Sequence, residues 1–108
     1  MRPVYIVGAG QVPVSKQSAE RGRYMAARAV GGALGDARID PARVGALFVG
    51  NMMSGMLAQQ QQLGALFADI SGLRGVEAAT VEAACGSGAA AARWGYMSVA
   101  GGFHDVPP

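Results

Sequence analysis

Val81-Glu82-Ala83-Ala84-Cys85-Gly86-Ser87-Gly88 is the stretch whose reading decides the fold. An apolar run ends at the only cysteine, and a segment rich in glycine and alanine begins directly after it. That order predicts a strand-to-helix elbow with Cys85 at its corner. A thiol at the first turn of a helix sees the positive end of the helix dipole and several unpaired backbone N–H groups, which favour negative charge on sulfur. The small residues that follow let another segment or a thioester approach the backbone closely. Two readings of Cys85 stand side by side: an acyl-accepting nucleophile, or a buried thiol packed as a small hydrophobe, which is the commoner fate of a lone cysteine.

The flanks of this stretch are periodic. Upstream, residues 76–82 carry Val76, Thr80 and Val81 and read as a parallel strand entered from the loop Gly72-Leu73-Arg74-Gly75. Downstream, Gly88, Ala91, Ala92, Gly95, Tyr96 and Val99 recur at helical spacing and are nearly all small, which predicts a central helix buried on that face. Arg93 and Trp94 fall off the face, and core packing is the simplest role for Trp94.

Ala46-Leu47-Phe48-Val49-Gly50 is a continuous apolar run of strand length closed by a loop at Asn51. Met52, Met53 and Met56 cluster in that loop and read as packing or subunit-interface residues. Leu63, Leu66, Phe67 and Ile70 form a helical stripe within a helix from Leu57 to about Ser71, with Gln59 to Gln62 as its solvated or interfacial first turns. From Ser18, a plausible N-cap, to Leu34, the residues Met25, Ala26, Ala29, Val30, Ala33 and Leu34 trace an amphipathic helix, with Gly35 as its stop and Asp40-Pro41 opening a short turn.

Val4 to Val7 reads as a further buried strand, closed by Gly8-Ala9-Gly10. A Gly-x-Gly after a strand is half of the dinucleotide fingerprint. Here Pro13 holds the third glycine position and the loop runs on through Ser15-Lys16-Gln17, so nucleotide binding is set aside. Strands alternating with helices define an α/β chain with a parallel sheet of about three strands and three helices. A fourth strand is due after Gly101-Gly102, yet Pro107 and Pro108 cannot donate to a ladder.

The 108 residues allow one domain at most. They are 51% hydrophobic and 15% charged, with mean hydropathy +0.24, an apolar balance for a small domain covering its own surface. The nine basic residues are scattered without a run, which speaks against nucleic acid and anionic membranes as partners despite a pI near 9.1. No apolar stretch reaches the ~20 residues of a membrane span, and the N-terminal run is too short for a signal peptide. One cysteine and one histidine make neither an internal disulfide nor a cysteine-based metal site, and a cytoplasmic location is expected.

Three stretches together resemble the thiolase family, in its sterol-carrier-type and archaeal acetyl-CoA acetyltransferase branch: residues 4–16, residues 47–55 and above all residues 81–91 around Cys85. The related ketoacyl synthases usually carry paired serines after the cysteine, so Gly86-Ser87-Gly88 favours thiolase. The resemblance covers essentially residues 1–106 and implies a thiolase-like layered α/β/α fold, of which residues 1–108 are an incomplete N-terminal domain. It implies that Cys85 takes an acyl group from an acyl-coenzyme A substrate, with its backbone N–H as an oxyanion donor. Claisen condensation or thiolysis of a 3-ketoacyl thioester would follow. It also implies a homo-oligomer, dimer or tetramer, and no covalently bound cofactor.

In the family the activating histidine, a second cysteine and the group holding the thioester oxygen lie in motifs absent from this sequence. His104 is 19 positions beyond Cys85, up to about 28 Å along a helix, too far for a base that must come within about 3 Å. A capping or surface role suits it better. Two other readings remain: a non-catalytic association module built on the same elements, and a ketoacyl-synthase-like condensing enzyme. An unpaired sheet edge predicts that the 108-residue chain self-associates. Sedimentation and a thermal melt test this, and a sharp two-state melt from a monodisperse monomer would count against it.

Overall fold

The computed structural model describes residues 1–13, 22–52 and 62–105. Two strands, β1 (Ala46–Gly50) and β2 (Glu77–Val81), form a parallel ladder in the register Ala46 to Glu77 through Gly50 to Val81. Three helices flank it: α1 (Gly22–Ala37), α2 (Leu63–Ile70) and α3 (Ser87–Ala100). Because successive side chains of a strand point to opposite faces, β1 serves two layers. Leu47 and Val49 join Leu34, Val44, Ala68 and Leu73 in one cluster, on the α1 and α2 side. Ala46 and Phe48 meet Ala91 of α3 on the other. The chain is therefore an α/β protein with a parallel sheet, as its periodicity predicts, and its three-layer α/β/α order is the one the resemblance implies.

β1 and β2 form where the sequence places them. β1 is the continuous apolar run that a strand covered on both faces requires. β2, with Glu77 and Thr80 exposed, is held by its pairing with β1. The run Val4 to Val7 forms no strand. Among the described residues it pairs with no strand, and Tyr5, Ile6 and Val7 are 77%, 94% and 61% exposed. The cause lies at its two ends. Arg2 is bound to the end of α3, its N–H donating to the Ala100 carbonyl at 3.2 Å and its guanidinium to Asp105 at 2.8 Å. Gly8 and Gly10 lie against α1, where a Cβ on Gly10 would overlap the Ala29 carbonyl. The run thus bridges two helices, and its Gly-x-Gly serves close backbone packing.

Helix boundaries differ from the sequence reading in two places. The Ser18 cap lies outside the described residues, and α1 passes through Gly35 to end at Ala37. The left-handed residue that closes it is Arg38 (φ 57), after which the Ile39 N–H donates back to the Leu34 carbonyl at 3.0 Å. Glycine lowers helix propensity without forbidding the helix. Gln62 (φ 58) is also left-handed, so α2 starts at Leu63 and does not run through Gln62; Leu57 to Gln61 lie outside the described residues, as do Met53 and Met56. Met52 is exposed. The turn at Asp40-Pro41 is present, with the Asp40 carboxylate accepting from the Ala42 N–H at 2.9 Å.

α2 sits close enough to β2 that a Cβ on Gly64 would fall 2.7 Å from the Ala79 carbonyl carbon, and the Gly64 N–H donates to Thr80 Oγ1 at 2.9 Å. Backbone on both sides leaves nothing that yields cheaply. Gly64→Ala is expected to destabilise the fold by about 2 kcal/mol, as overpacking does, measured by denaturant unfolding against the parent chain. An unchanged midpoint would show that the two layers can separate freely.

Candidate active site

Parallel strands bring their carboxyl ends to one edge of the sheet, and Cys85 lies just beyond that edge. β2 ends at Val81, and four residues later the chain reaches Cys85. Beside it, the Asn51 N–H donates to the Val81 carbonyl at 3.1 Å and ties the two strand ends together. Gly50 closes the corner. A Cβ there would overlap the Ser87 carbonyl and lie 2.7 Å from the Gly88 nitrogen, so the end of β1 touches the start of α3 backbone to backbone. The carboxyl edge of an open parallel sheet is the general place for ligand chemistry in α/β folds.

The elbow itself is a compact turn. Ala84 takes a left-handed conformation (φ 50), unfavourable for a residue with a Cβ unless its surroundings hold it. The Gly86 N–H donates to the Ala83 carbonyl at 2.9 Å and the Ser87 N–H to the Ala84 carbonyl at 3.2 Å. The Ala83 N–H donates to Ser87 Oγ at 2.9 Å and the Ala84 N–H to the Glu82 carboxylate at 2.5 Å. Among the described residues the Cys85 N–H, in the middle of the turn, has no hydrogen-bond partner. Cys85 is exposed, so it is not the buried small hydrophobe that a lone cysteine usually is. Nor does it belong to the first turn of the helix: α3 begins at Ser87 with Gly86 in the cap position, which leaves Cys85 two residues before the helix start.

The small-residue face of α3 is only partly buried. Ser87, Ala91, Ser98 and Ala100 are buried, whereas Gly88, Ala92 and Tyr96 are exposed. The sheet covers one side of α3, and among the described residues no second layer covers the other. Trp94 is half-exposed at 48%; its ring packs on Phe48 at 6.0 Å between centroids with a tilt of 51°, as core packing predicts for one side of it only.

His104 lies at the opposite edge. Its Nε2 is 3.1 Å from Glu77 Oε1 at the start of β2, and a Cβ on Gly45, just before β1, would fall 2.7 Å from its Nδ1. Its backbone N–H closes the end of α3 on the Ser98 carbonyl at 3.2 Å. The five steps from Gly45 to Gly50 put about 16 Å of strand between the two edges, so His104 does not reach Cys85. Among the described residues no cluster of His, Cys, Asp and Glu could hold a metal, and no helix is long and apolar enough to cross a membrane.

An α/β/α layered fold with an exposed cysteine at the carboxyl edge of its parallel sheet defines the class. Residues 4–107 match the family model described as thiolase, N-terminal domain, and the chain belongs to that family. It is 39% identical over 106 residues to an acetyl-CoA acetyltransferase of Methanothermobacter thermautotrophicus and 35% identical over 106 residues to one of Methanocaldococcus jannaschii, with 98% of this chain aligned in each. The chain spans just over a quarter of the length of these relatives, 28% and 27%. Sequence reasoning found the elbow through its apolar run and small residues. It missed Ser87, whose hydroxyl binds backward to the turn, because a serine beside a helix start reads as a cap.

The contact of Gly50 with Ser87 and Gly88 makes a specific demand on β1. Gly50→Ala is expected to cost about 2 kcal/mol in unfolding experiments and to shift the elbow outward. Loss of stability without any change in the rate of Cys85 alkylation would show that the elbow keeps its shape apart from β1.

Proposed function

We propose that Cys85 is the acyl-accepting nucleophile of a thiolase-type acyltransferase. The observation that carries this reading is an exposed cysteine whose backbone N–H has no hydrogen-bond partner among the described residues, in a strand-to-helix turn of a chain belonging to the thiolase family. The sulfur bonds to the thioester carbonyl carbon while the carbonyl electron pair moves onto oxygen, where the Cys85 N–H meets the developing charge. The oxyanion then collapses, the bond to the coenzyme A sulfur breaks, and coenzyme A leaves with the proton lost by the thiol. In the second half-reaction, attack by a thioester carbanion gives condensation, and attack by coenzyme A on the acyl-enzyme left by ketoacyl cleavage gives thiolysis. With His104 at the far edge, this reading takes the proton acceptor and the second acid–base group from outside these 108 residues. The two acetyl-CoA acetyltransferase relatives support a short acyl thioester as substrate.

A second reading, an association module, draws on the exposed Tyr5, Ile6, Trp94 and Phe103. The two separate in one experiment. Incubation of the natural full-length protein with labelled acetyl-coenzyme A, followed by peptide mass spectrometry, is expected to place an acetyl group on Cys85, and Cys85→Ala is expected to drop labelling to background. No adduct in the parent protein, or one that survives Cys85→Ala, would overturn the nucleophile.

A further inference from the structure

We propose that Ser87 is the positioning residue of this site: it sets the direction of the Cys85 N–H. The inference rests on the acyl-accepting role proposed for Cys85 above. Ser87 is the first residue of α3 and only 5% exposed. Its hydroxyl accepts from the Ala83 N–H at 2.9 Å and donates to the Ala84 carbonyl at 2.7 Å. Its own backbone N–H donates to the same carbonyl at 3.2 Å. A capping serine would instead accept from N–H groups ahead of it in the helix, and α3 has no side-chain cap. Ser87 serves the turn behind it.

The geometry gives that service a meaning. The Ala84 carbonyl and the Cys85 N–H belong to one peptide unit, which is planar and trans. Their bonds point in opposite directions, so whatever fixes the carbonyl aims the N–H. Two donors from Ser87 hold the carbonyl toward the start of α3, and the N–H is thereby turned the other way, where it has no partner among the described residues. Ala84, left-handed at φ 50, would leave this conformation readily without such contacts. The clamp itself is anchored, because the Ser87 backbone lies against Gly50 at the end of β1.

Two reactions at the same sulfur separate positioning from folding. Acylation by acetyl-coenzyme A forms an oxyanion that needs the N–H, with the Cys85–acyl bond formed and coenzyme A released carrying the proton. Alkylation by iodoacetamide forms a carbon–sulfur bond and expels iodide without any oxyanion. In the natural full-length protein, Ser87→Ala is expected to slow acylation about tenfold or more, given that loss of a whole oxyanion donor costs about a hundredfold or more, and to leave alkylation within about twofold. Ser87→Thr keeps the hydroxyl and is expected to restore acylation to within about threefold of the parent. Should Ser87→Ala not fold, Ser87→Val, which has the shape of the threonine variant without its hydroxyl, carries the same comparison against Ser87→Thr. Equal slowing of both reactions, or unchanged acylation, overturns the role of Ser87 alone. Absence of acylation in the parent overturns the reading of Cys85, and this inference with it.

Discussion

The contact on which the rest depends is the one between Gly50 and the Ser87–Gly88 backbone. It joins the last residue of β1 to the first turn of α3 with no side chain between them. Elsewhere the layers meet in the same way, Gly64 against Ala79 and Gly10 against Ala29 and Ala33. No large side chain among the described residues is fully buried, so short-range contact between backbones and small side chains adds to what the larger core residues hold together. Dispersion falls off steeply with separation, and a packing of this kind is sensitive to a single added methyl group.

The two faces of the sheet are unequal. On the α1 and α2 side, four branched aliphatic residues, Leu34, Val44, Leu47 and Leu73, are buried together. At about 1.5–3 kcal/mol for each such side chain, this cluster supplies most of the hydrophobic stabilisation. On the α3 side Phe48 is the one large residue in the buried cluster among those described. The placement of α3, and with it the elbow, therefore rests on the close contact at Gly50, the Ala46–Ala91 approach and the tilted Phe48–Trp94 pair.

How much of this could be read from the sequence follows from how local each feature is. β1 was legible because burial on both faces leaves a continuous apolar run, and β2 because it leads into the elbow. Val4 to Val7 has the same composition and no ladder, since pairing depends on where Arg2, Gly8 and Gly10 are held, and no window of sequence contains that. The end of α1 moved from Gly35 to Arg38 for a related reason: residue type states what a glycine permits, and the surrounding contacts decide what the chain does. The small face of α3 was legible as small. Which part of it is covered depends on layers that the spacing of glycine and alanine cannot specify. At the site, the corner at Cys85 was readable and its fine structure was not. The bonds that shape it run backward from Ser87 across three residues, opposite to the direction in which a serine near a helix start is usually read.

The separation of Cys85 from His104 points to a division of labour that the same physics explains. Aiming a backbone donor is a local problem. A planar peptide, a left-handed residue and one hydroxyl suffice, and all three lie between residues 83 and 87. Supplying a base is a different problem, because the polar side chains of the turn, Glu82 and Ser87, are already engaged with the Ala84 N–H and with the Ala83 N–H and Ala84 carbonyl. The base must arrive from another element at about 3 Å. A chain segment that contains the elbow can thus build the electrostatic half of the proposed acyl transfer by itself. On that proposal the proton-transfer half comes from elements other than the described residues at the carboxyl edge, and His104, held against Glu77 and Gly45 at the amino edge, is part of what closes the opposite end of the fold.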